Sequence, residues 1–387
     1  MQKEQPTINQ LLFSFLRLGA TAFGGPSMVA YIRKLVVEQK NWMDAKEFNA
    51  GVAFCQLIPG ATAMQMAAYV GLYLRGVTGA AISFIGFGLP AFFLMLFFAM
   101  IYTRTGNLPV VVSAFSGLQA VVVAIMANAV WSFGKVTIKK WRHAGIALIA
   151  VGLFWWNISP LLVICLAALA GWLVLTSPSG EELSIGEVSP NPISQKPKWI
   201  LLSLTAISLA VMFFLSPDLY KLSLLMMKVD LTAFGGGFAS VPVMYHQIVE
   251  VNHWLDGQTF MNGIVLGQVT PGPIVITATF IGYILFGTIG AMVATLSIFL
   301  PSFLLVVGLA PFFNKVSTTP IFHKVIRGVM CSFVGLLISV TIRFAFEIEF
   351  DVLHVIMVVS ALFALLCKVD ILWVVVIGAV ISIWLIH

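Results

Sequence analysis

Charged side chains are scarce in this sequence. Only 9% of its 387 residues are Asp, Glu, Lys or Arg, whereas soluble domains carry about 25%. Hydrophobic residues make up 60% of the chain, and its mean hydropathy is +1.02. This composition excludes a soluble domain and predicts an integral membrane protein.

The usual signs of catalytic chemistry are also missing. The four cysteines lie in or beside apolar runs, without the spacing of a metal site or a disulfide framework. No Walker loop, nucleophile elbow or metalloprotease motif occurs, and no His–carboxylate pair is evident. The sequence therefore predicts no catalytic residue, no metal and no cofactor, and it excludes an ATP-driven pump within this chain. The net charge of +6 suits positively charged cytoplasmic loops and predicts no nucleic-acid partner.

Apolar runs near the ~20 residues that cross a bilayer fill most of the chain. They lack the alternation typical of barrel strands, so we expect an all-α integral membrane protein. The runs fall into two similar series, 9–175 and 220–386, separated by a polar linker at 176–198 and one further apolar segment at 199–216. The short runs 144–156 and 160–175 could cross fully or form a shallow hairpin, and the sequence leaves this open.

The motif Thr-Ala-Phe-Gly-Gly occurs once in each series, beginning at Thr21 and at Thr232. Pro26 follows the first copy and Gly237 follows the second. Glycine weakens a helix by about 1 kcal/mol relative to alanine, so a paired Gly-Gly is unexpected in a membrane helix. Close helix packing would explain a single copy. Duplication in matching places instead favours a pair of broken helices at a transport site.

Many other residues recur at the same spacing of 211 or 212 positions. The first-series residues are Trp42, Asp44, Gln56, Pro59, Gly60, Gly71, Gly76, Gly79, Pro90 and His143. Their second-series equivalents are Trp254, Asp256, Gln268, Pro271, Gly272, Gly282, Gly287, Gly290, Pro301 and His354. We interpret the chain as two homologous repeats of six segments each. The two Trp-x-Asp loops are expected to be structural and interfacial.

The extra segment between the repeats should turn the second repeat over. The loop after the fourth segment is basic in the first repeat, from Lys135 to Arg142, but acidic in the second, from Glu347 to Asp351. Positive loops stay in the cytoplasm, so the two loops should lie on opposite sides. We predict about 13 transmembrane segments in two inverted-topology repeats, with the N-terminus cytoplasmic and the C-terminus outside.

Breaks at matching positions predict the substrate site. A helix restarting after Gly-Gly exposes backbone N–H groups whose dipole favours an anion, and hydroxyl and amide side chains add neutral donors. Carboxylates, which a bare metal cation would need, are scarce. The predicted binding residues of the first repeat are Thr21, Phe23, Gly24, Gly25, Pro26, Gln56, Pro59 and Gly60, with Thr62 nearby. Those of the second are Thr232, Phe234, Gly235, Gly236, Gln268, Pro271 and Gly272, with Thr270 nearby.

Two cations precede the Gly-Gly motifs at equivalent positions. Arg17 and Lys228 each lie four residues before the motif. Charges inside the membrane are costly and usually functional, so both are predicted to bind the anion; the alternative is that they reach the headgroups. Asp230 has no acidic counterpart, because Gly19 is the aligned residue. An ion pair with Lys228 is the favoured role for Asp230, and carrying a coupling proton is the alternative.

These motifs, in this order, resemble the chromate transporter family in its long two-domain form. The resemblance rests on the two Phe-Gly-Gly motifs, the two Gln-x-x-Pro-Gly motifs and the two Trp-x-Asp loops, and it covers 9–386. It implies a bacterial inner-membrane protein that exports chromate, with sulfate as a competing or exchanged anion. Its partners would be the small oxyanion and the lipid bilayer, with homo-oligomerisation left open.

The resemblance leaves alternatives. Sulfate or another oxyanion could be the ordinary substrate, and a channel could share the same site. A membrane-embedded enzyme or sensor is a different class, and nothing in the sequence supports it. The coupling mode, the direction of transport and the contribution of each half stay open.

Overall fold

The computed structural model describes residues 6–23, 27–106, 108–175, 196–310, 320–348 and 351–385. Within these ranges all regular secondary structure is helical. The first-repeat helices are α1 (Ile8–Thr21), α2 (Ser27–Arg33), α3 (Ala45–Leu57), α4 (Thr62–Thr105), α5 (Pro109–Thr137), α6 (Trp141–Trp155) and α7 (Pro160–Val174). Next come α8 (Lys196–Leu215), α9 (Pro217–Thr232), α10 (Gly237–Tyr245), α11 (Gly257–Val269), α12 (Thr277–Leu309), α13 (Pro320–Glu347), α14 (Val352–Leu366) and α15 (Ile371–Leu385).

Short irregular helices extend three of these elements. A π-helical turn follows α2 at Lys34–Gln39 and another follows α10 at His246–Val251, so this feature is repeated too. A 3₁₀ turn, Ile274–Ile276, precedes α12. Asp44 and Asp256 cap α3 and α11, since their backbones are extended and Asp256 accepts a bond from the Thr259 N–H at 2.7 Å. Both Asp residues therefore have the structural role of helix caps, while the interfacial position of the Trp-x-Asp loops stays a prediction.

The chain forms two compact units, and each takes segments from both repeats. The first unit contains Met1–Leu96, Pro178–Ser240 and Pro271–Phe322. The second unit contains Phe97–Ser177, Val241–Thr270 and His323–His387. The predicted linker falls almost entirely on 176–195, which lies outside the described residues.

Long α4 and α12 in the first unit are both folded back on themselves. Each contains one extended residue followed by a glycine of positive φ, at Gly76 (φ +67°) and at Gly287 (φ +62°). The arms on either side approach so closely that a Cβ added to Gly71 or Gly282 would collide with the carbonyl oxygen of Gly79 or Gly290. These two hairpins are therefore built by glycines that recur in the sequence repeat, namely Gly71, Gly76 and Gly79 in α4 and Gly282, Gly287 and Gly290 in α12.

Hydroxyl groups hold the arms of both hairpins together. Ser83 Oγ donates to the Ala67 carbonyl at 2.7 Å in α4. Thr279 Oγ1 and Thr295 Oγ1 are 2.7 Å apart in α12. Helix α9 packs along α12, and α8 packs against both.

In the second unit, α5 packs against α11, α14 and α15, and α6 packs against α7. The Ser382 hydroxyl of α15 accepts from the Gly117 N–H of α5 at 3.0 Å and donates to the Ser113 carbonyl. Arg343 forms an ion pair with Glu250 and donates to the Phe154 carbonyl at 2.8 Å. These bonds tie the helix ends of this unit together.

Four of the described helices are long and apolar enough to cross a membrane: 62–105, 109–137, 274–309 and 321–347. Four more are apolar but shorter, namely α6, α7, α14 and α15. The all-α membrane class is confirmed. The short runs are helices of 15 residues each, about 22 Å long against a hydrocarbon core of about 30 Å.

Candidate functional site

Helices break where the repeated glycines predict. Helix α1 ends at Thr21 and α2 begins at Ser27, while α9 ends at Thr232 and α10 begins at Gly237. Gly24, Gly25 and Pro26 lie between α1 and α2, outside the described residues. In the second copy Gly235 and Gly236 have φ values of +105° and +94°. L-residues avoid that region, so the local geometry requires glycine.

The Pro-Gly motifs make a second pair of breaks. Helix α3 ends at Leu57 before α4 begins at Thr62, and α11 ends at Val269 before the turn into α12. Gly60 and Gly272 again have positive φ values, +117° and +112°. Both predicted pairs of breaks are thus present wherever their residues are described.

The two kinds of break cross-pair between the repeats. The Gly60 N–H of the first repeat donates to the Ala233 carbonyl of the second at 2.9 Å. Reciprocally, the Gly272 N–H of the second repeat donates to the Ala22 carbonyl of the first, also at 2.9 Å. We call these contacts the Gly60 crossing and the Gly272 crossing. Each one joins a Pro-Gly break to the residue just before the other repeat's Phe-Gly-Gly motif.

Polar side chains surround the Gly60 crossing. A Cβ on Gly60 would collide with Ser302 Oγ and lie 2.7 Å from Gln65 Nε2 and 3.0 Å from Asp230 Oδ1. The Asp230 Oδ2 atom accepts from the Ser302 N–H at 2.8 Å. Ser302 Oγ accepts from the Ala61 N–H and from Gln65 Nε2, both at 3.3 Å. Gln65, Asp230 and Ser302 are each fully buried, so this is a polar cluster inside an apolar unit.

The Gly272 crossing is apolar at the equivalent positions. A Cβ on Gly272 would meet the Ala91 methyl at 2.8 Å, and Ala91 takes the place of Ser302. Gly19 takes the place of Asp230, and a Cβ there would collide with the Phe87 carbonyl. The stretch equivalent to Gln65, residues 273–281, contains no amide side chain. The backbone is repeated while the side chains differ.

The structure corrects the partner predicted for Asp230. Among the described residues, its hydrogen-bond partner is Ser302 rather than Lys228. Lys228 is only partly buried, and Arg17 is exposed. Sequence inspection noted the Asp230–Gly19 difference but missed Gln65 and Ser302, because Ser302 lies 72 positions later, in the next hairpin.

The predicted hydroxyls and amides are distributed unevenly. Thr21 is exposed and Thr232 buried, yet both hydroxyls bond back to their own helices, to the carbonyls of Arg17 at 2.9 Å and Lys228 at 2.8 Å. Gln56 is exposed in the first unit. Gln268 is buried in the second unit, and its Nε2 has no hydrogen-bond partner among the described residues. Phe23, Phe234 and Pro59 are half-buried, and Pro271 is buried.

His–carboxylate pairs occur in the second unit, which corrects the expectation that there were none. His246 Nδ1 lies 2.7 Å from Glu250 Oε2. His354 lies between Asp351 Oδ1, at 2.5 Å, and Ser116 Oγ, at 3.0 Å. Asp351 also caps α14 by accepting from the His354 N–H at 2.7 Å, which lowers the pKa of its carboxyl.

The Ser116–His354–Asp351 chain has the order of a hydrolase triad but not its surroundings. Ser116 lies inside the continuous helix α5, and the N–H of the next residue, Gly117, already donates to the Ser382 hydroxyl. A hydrolase needs free N–H donors around its nucleophile to stabilise the oxyanion. We therefore interpret the chain of bonds as fixing the start of α14 against α5.

Known proteins share this double arrangement. The sequence model of the family described as Chromate transporter matches residues 9–172 and again residues 220–383. This chain belongs to the chromate transporter family. It is accordingly a multi-pass membrane protein of a transporter family, as the motifs predicted.

Several curated relatives cover nearly the whole chain. An uncharacterized transporter of Methanocaldococcus jannaschii is 41% identical over 98% of this chain and 95% of its own. The chromate transport protein of Cupriavidus metallidurans is 31% identical over 88% and 83% of the two chains. That of Pseudomonas aeruginosa is 28% identical over 87% and 80%. No solved structure matches this chain significantly.

Proposed function

We propose that this protein carries chromate, a tetrahedral oxyanion, across the inner membrane as a secondary exporter, with sulfate competing or exchanging. The observation that carries the proposal is the reciprocal pairing of the Gly60 and Gly272 crossings. It joins the broken segments of the two repeats in two pairs, and matched breaks of this kind mark a transporter's central site. Relatives that are named chromate transport proteins supply the substrate.

We place the anion beside the Phe-Gly-Gly breaks of the first unit. Helix α10 begins at Gly237, directly after Gly235 and Gly236. These two glycines have positive φ values and carry no side chains that would cover the backbone. The helix dipole and the N–H groups of its first turn favour a dianion there. The Gly60 and Gly272 N–H groups are already used in the crossings. They therefore hold the breaks in place, and Lys228 and Arg17 remain the proposed source of positive charge.

For the membrane topology we propose about 13 segments in two inverted repeats, 9–175 and 220–386. The linker 176–198 and the connecting segment 199–216 would join them. A cytoplasmic N-terminus and an external C-terminus agree with the charges at the ends of α5 and α13. Lys135 is in the last turn of α5 and Lys139, Lys140 and Arg142 come after it, whereas Glu347 ends α13 and Asp351 comes after it. Cysteines placed singly in these two loops should be labelled from opposite sides by an impermeant maleimide.

The test is chromate flux into proteoliposomes with sulfate trapped inside or absent. Saturable uptake that trapped sulfate accelerates would support an oxyanion exchanger. Uptake that ignores trapped sulfate and follows an imposed potential would instead indicate a uniporter, since each charge gains about 2.3 kcal/mol per 100 mV. No chromate movement by folded protein would contradict the proposed substrate.

Variants of the two cations locate the site. Arg17→Gln and Lys228→Gln should weaken chromate binding if these side chains contact the anion. Lys221→Gln is the matched control, because Lys221 is on the same helix as Lys228 but pairs with Asp218 at an exposed position, 3.8 Å away. Unchanged binding in both cation variants would place Arg17 and Lys228 at the headgroups.

A further inference from the structure

We propose that Asp230 carries a proton that moves together with the transported anion, which makes the Gly60 crossing an ion-coupling site. This inference rests on the proposed function, because it assumes that an anion binds at the neighbouring break. It assigns a role to a side chain that the other repeat lacks. The argument starts from the burial of the carboxylate.

Two buried acceptor atoms at the Gly60 crossing have no hydrogen-bond donor. Gln65 and Asp230 are both fully buried. Within the described part of the chain, Gln65 Oε1 and Asp230 Oδ1 lack any hydrogen-bond partner. Buried polar atoms are nearly always satisfied, so two orphan acceptors in one cluster point to a missing positive ligand.

A single proton changes this balance. When Asp230 is protonated its charge disappears, and one of its oxygens becomes a hydrogen-bond donor. The cluster then has one acceptor fewer without a donor, and the new O–H group can serve as a donor to the acceptor that remains. A larger cation such as Na⁺ would need several oxygen ligands, but the Ser302 hydroxyl already accepts from the Ala61 N–H and from Gln65. Gln65 Nε2 donates to Ser302 and to the Pro59 carbonyl at 2.5 Å. Within this cluster, only Gln65 Oε1 and Asp230 Oδ1 then stay available as oxygen ligands, which is too few for Na⁺.

The ionisable residues of the surrounding elements are few. Helix α12 carries no Asp, Glu, Lys, Arg or His, and only Tyr283 among its ionisable side chains. The first arm of α4 carries Tyr69 and Tyr73, with Arg75 at its end beside the Gly76 turn. Besides Asp230, helix α9 carries Lys228, Lys221, Tyr220 and Asp218. Helix α8 carries Lys196 and Lys198 in its first turn. Asp230 is thus the one carboxyl group placed among Gly60, Gln65 and Ser302.

The position of Asp230 links its charge to the break. Its own carbonyl accepts from the Ala233 N–H at 3.1 Å, and the Ala233 carbonyl accepts the Gly60 crossing bond. A dianion beside Gly235 and Gly236 and an ionised Asp230 would repel each other at short range in an apolar unit. Binding of the anion therefore favours the protonated carboxyl, and protonation favours the anion to the same extent. Proton and anion should move in the same direction, one proton per cycle.

The experiment follows lumenal pH and chromate entry together in proteoliposomes that contain no sulfate, at mildly alkaline pH where chromate is a dianion. For the unmodified protein we expect the lumen to acidify as chromate enters. Asp230→Asn mimics the protonated carboxyl, so it should lose the acidification. In a parallel preparation with sulfate trapped inside, it should keep chromate–sulfate exchange. Asp218→Asn is the matched control, because Asp218 is an exposed carboxylate on the same helix; it should behave like the unmodified protein.

Each other outcome has one interpretation. Chromate entry by the unmodified protein without lumenal acidification would overturn the proton proposal and leave the transporter intact. Alkalinisation, or acidification that persists in Asp230→Asn, would also overturn it. Entry that requires sodium in place of choline, with that requirement lost in Asp230→Asn, would make sodium the coupling ion and contradict the proton. Absence of chromate movement would instead count against the proposed function. If Asp230→Asn does not fold, the lumenal pH recorded with the unmodified protein decides whether a proton moves with chromate.

Discussion

The Gly60 and Gly272 crossings have the same backbone and different chemistry. Each is one N–H to carbonyl bond of 2.9 Å between a Pro-Gly break of one repeat and the last residue before the break of the other. Around Gly60 lie Asp230, Ser302 and Gln65, whereas a Cβ on Gly272 would meet only Ala91. Gly19 occupies the sequence position equivalent to Asp230. Duplication evidently preserved the main-chain framework and let the side chains diverge.

Divergence at one position explains much of the difference in packing. At Gly19 there is no side chain, and a Cβ would collide with the Phe87 carbonyl, so α1 lies directly on the backbone of α4. At Asp230 the carboxylate is placed against the backbone of α12, where it accepts the Ser302 N–H. Pro301 directly precedes Ser302, and a proline opens the helical bonding at its turn. One crossing is therefore a packing contact, and the other has a group that can change its charge.

The largest effect should come from Gly60→Ala. The new Cβ would collide with Ser302 and approach Asp230, at a φ of +117° that alanine avoids. Strain and overpacking together should cost about 3 kcal/mol or more. Gly272→Ala meets only the Ala91 methyl and should cost less, about 2 kcal/mol. Thermal unfolding in detergent measures both.

Gly308→Ala is the matched control for both alanine variants. A Cβ there has nothing within 4 Å, and alanine favours a helix over glycine, so the melting temperature should not fall. If Gly272→Ala were as damaging as Gly60→Ala, the polar cluster would not distinguish the two crossings.

Gly235→Val should abolish chromate transport while leaving membrane insertion intact. Valine is branched at Cβ and cannot easily adopt a φ of +105°. We expect the break beside α10 to close or distort, which removes the proposed anion site. Gly24→Val tests the sequence-equivalent position. Loss of transport in both variants would mean that both breaks serve the anion, whereas loss in Gly235→Val alone would confine binding to the second repeat.

The breaks could be predicted because their causes are local. Gly-Gly and Pro-Gly weaken a helix wherever they occur, and each of the four predicted breaks separates two helices. The hairpin turns at Gly76 and Gly287 were visible only as repeated glycines. Their meaning needed the φ values, since no sequence pattern distinguishes a turn glycine from a packing glycine.

The crossings could not be predicted, because they are bonds between main-chain atoms. Every residue except proline offers an N–H and a carbonyl, so the pairing of Gly60 with Ala233 leaves no trace in side-chain pattern. The cluster around Asp230 could not be predicted for a related reason. Lys228 is its neighbour in sequence, while Ser302 reaches it only after the chain has passed through α10, α11 and the first arm of α12.

Alanine at the two hairpin turns should have equal, intermediate effects. Gly76 and Gly287 share a backbone conformation, and a Cβ at either would have nothing within 4 Å. Only backbone strain remains, about 1–3 kcal/mol for each. Equal falls in melting temperature for Gly76→Ala and Gly287→Ala would show that the repeats are equivalent away from the crossings. A marked difference would mean that the asymmetry extends through the whole of both hairpins.

The smallest effect should come from Ser302→Ala, which makes this position resemble Ala91. Removing the hydroxyl leaves the Ala61 N–H and Gln65 Nε2 without the acceptor that each has at 3.3 Å. A buried donor that loses its partner costs about 1–2 kcal/mol, but Gln65 keeps its bond to the Pro59 carbonyl. The melting temperature should therefore fall modestly and insertion should be normal.

Asp230 keeps the Ser302 N–H, which is a backbone group, so Ser302→Ala should retain anion-dependent proton movement where Asp230→Asn loses it. Loss of proton movement in Ser302→Ala as well would show that the hydroxyl, and not the carboxylate alone, is needed to carry the proton.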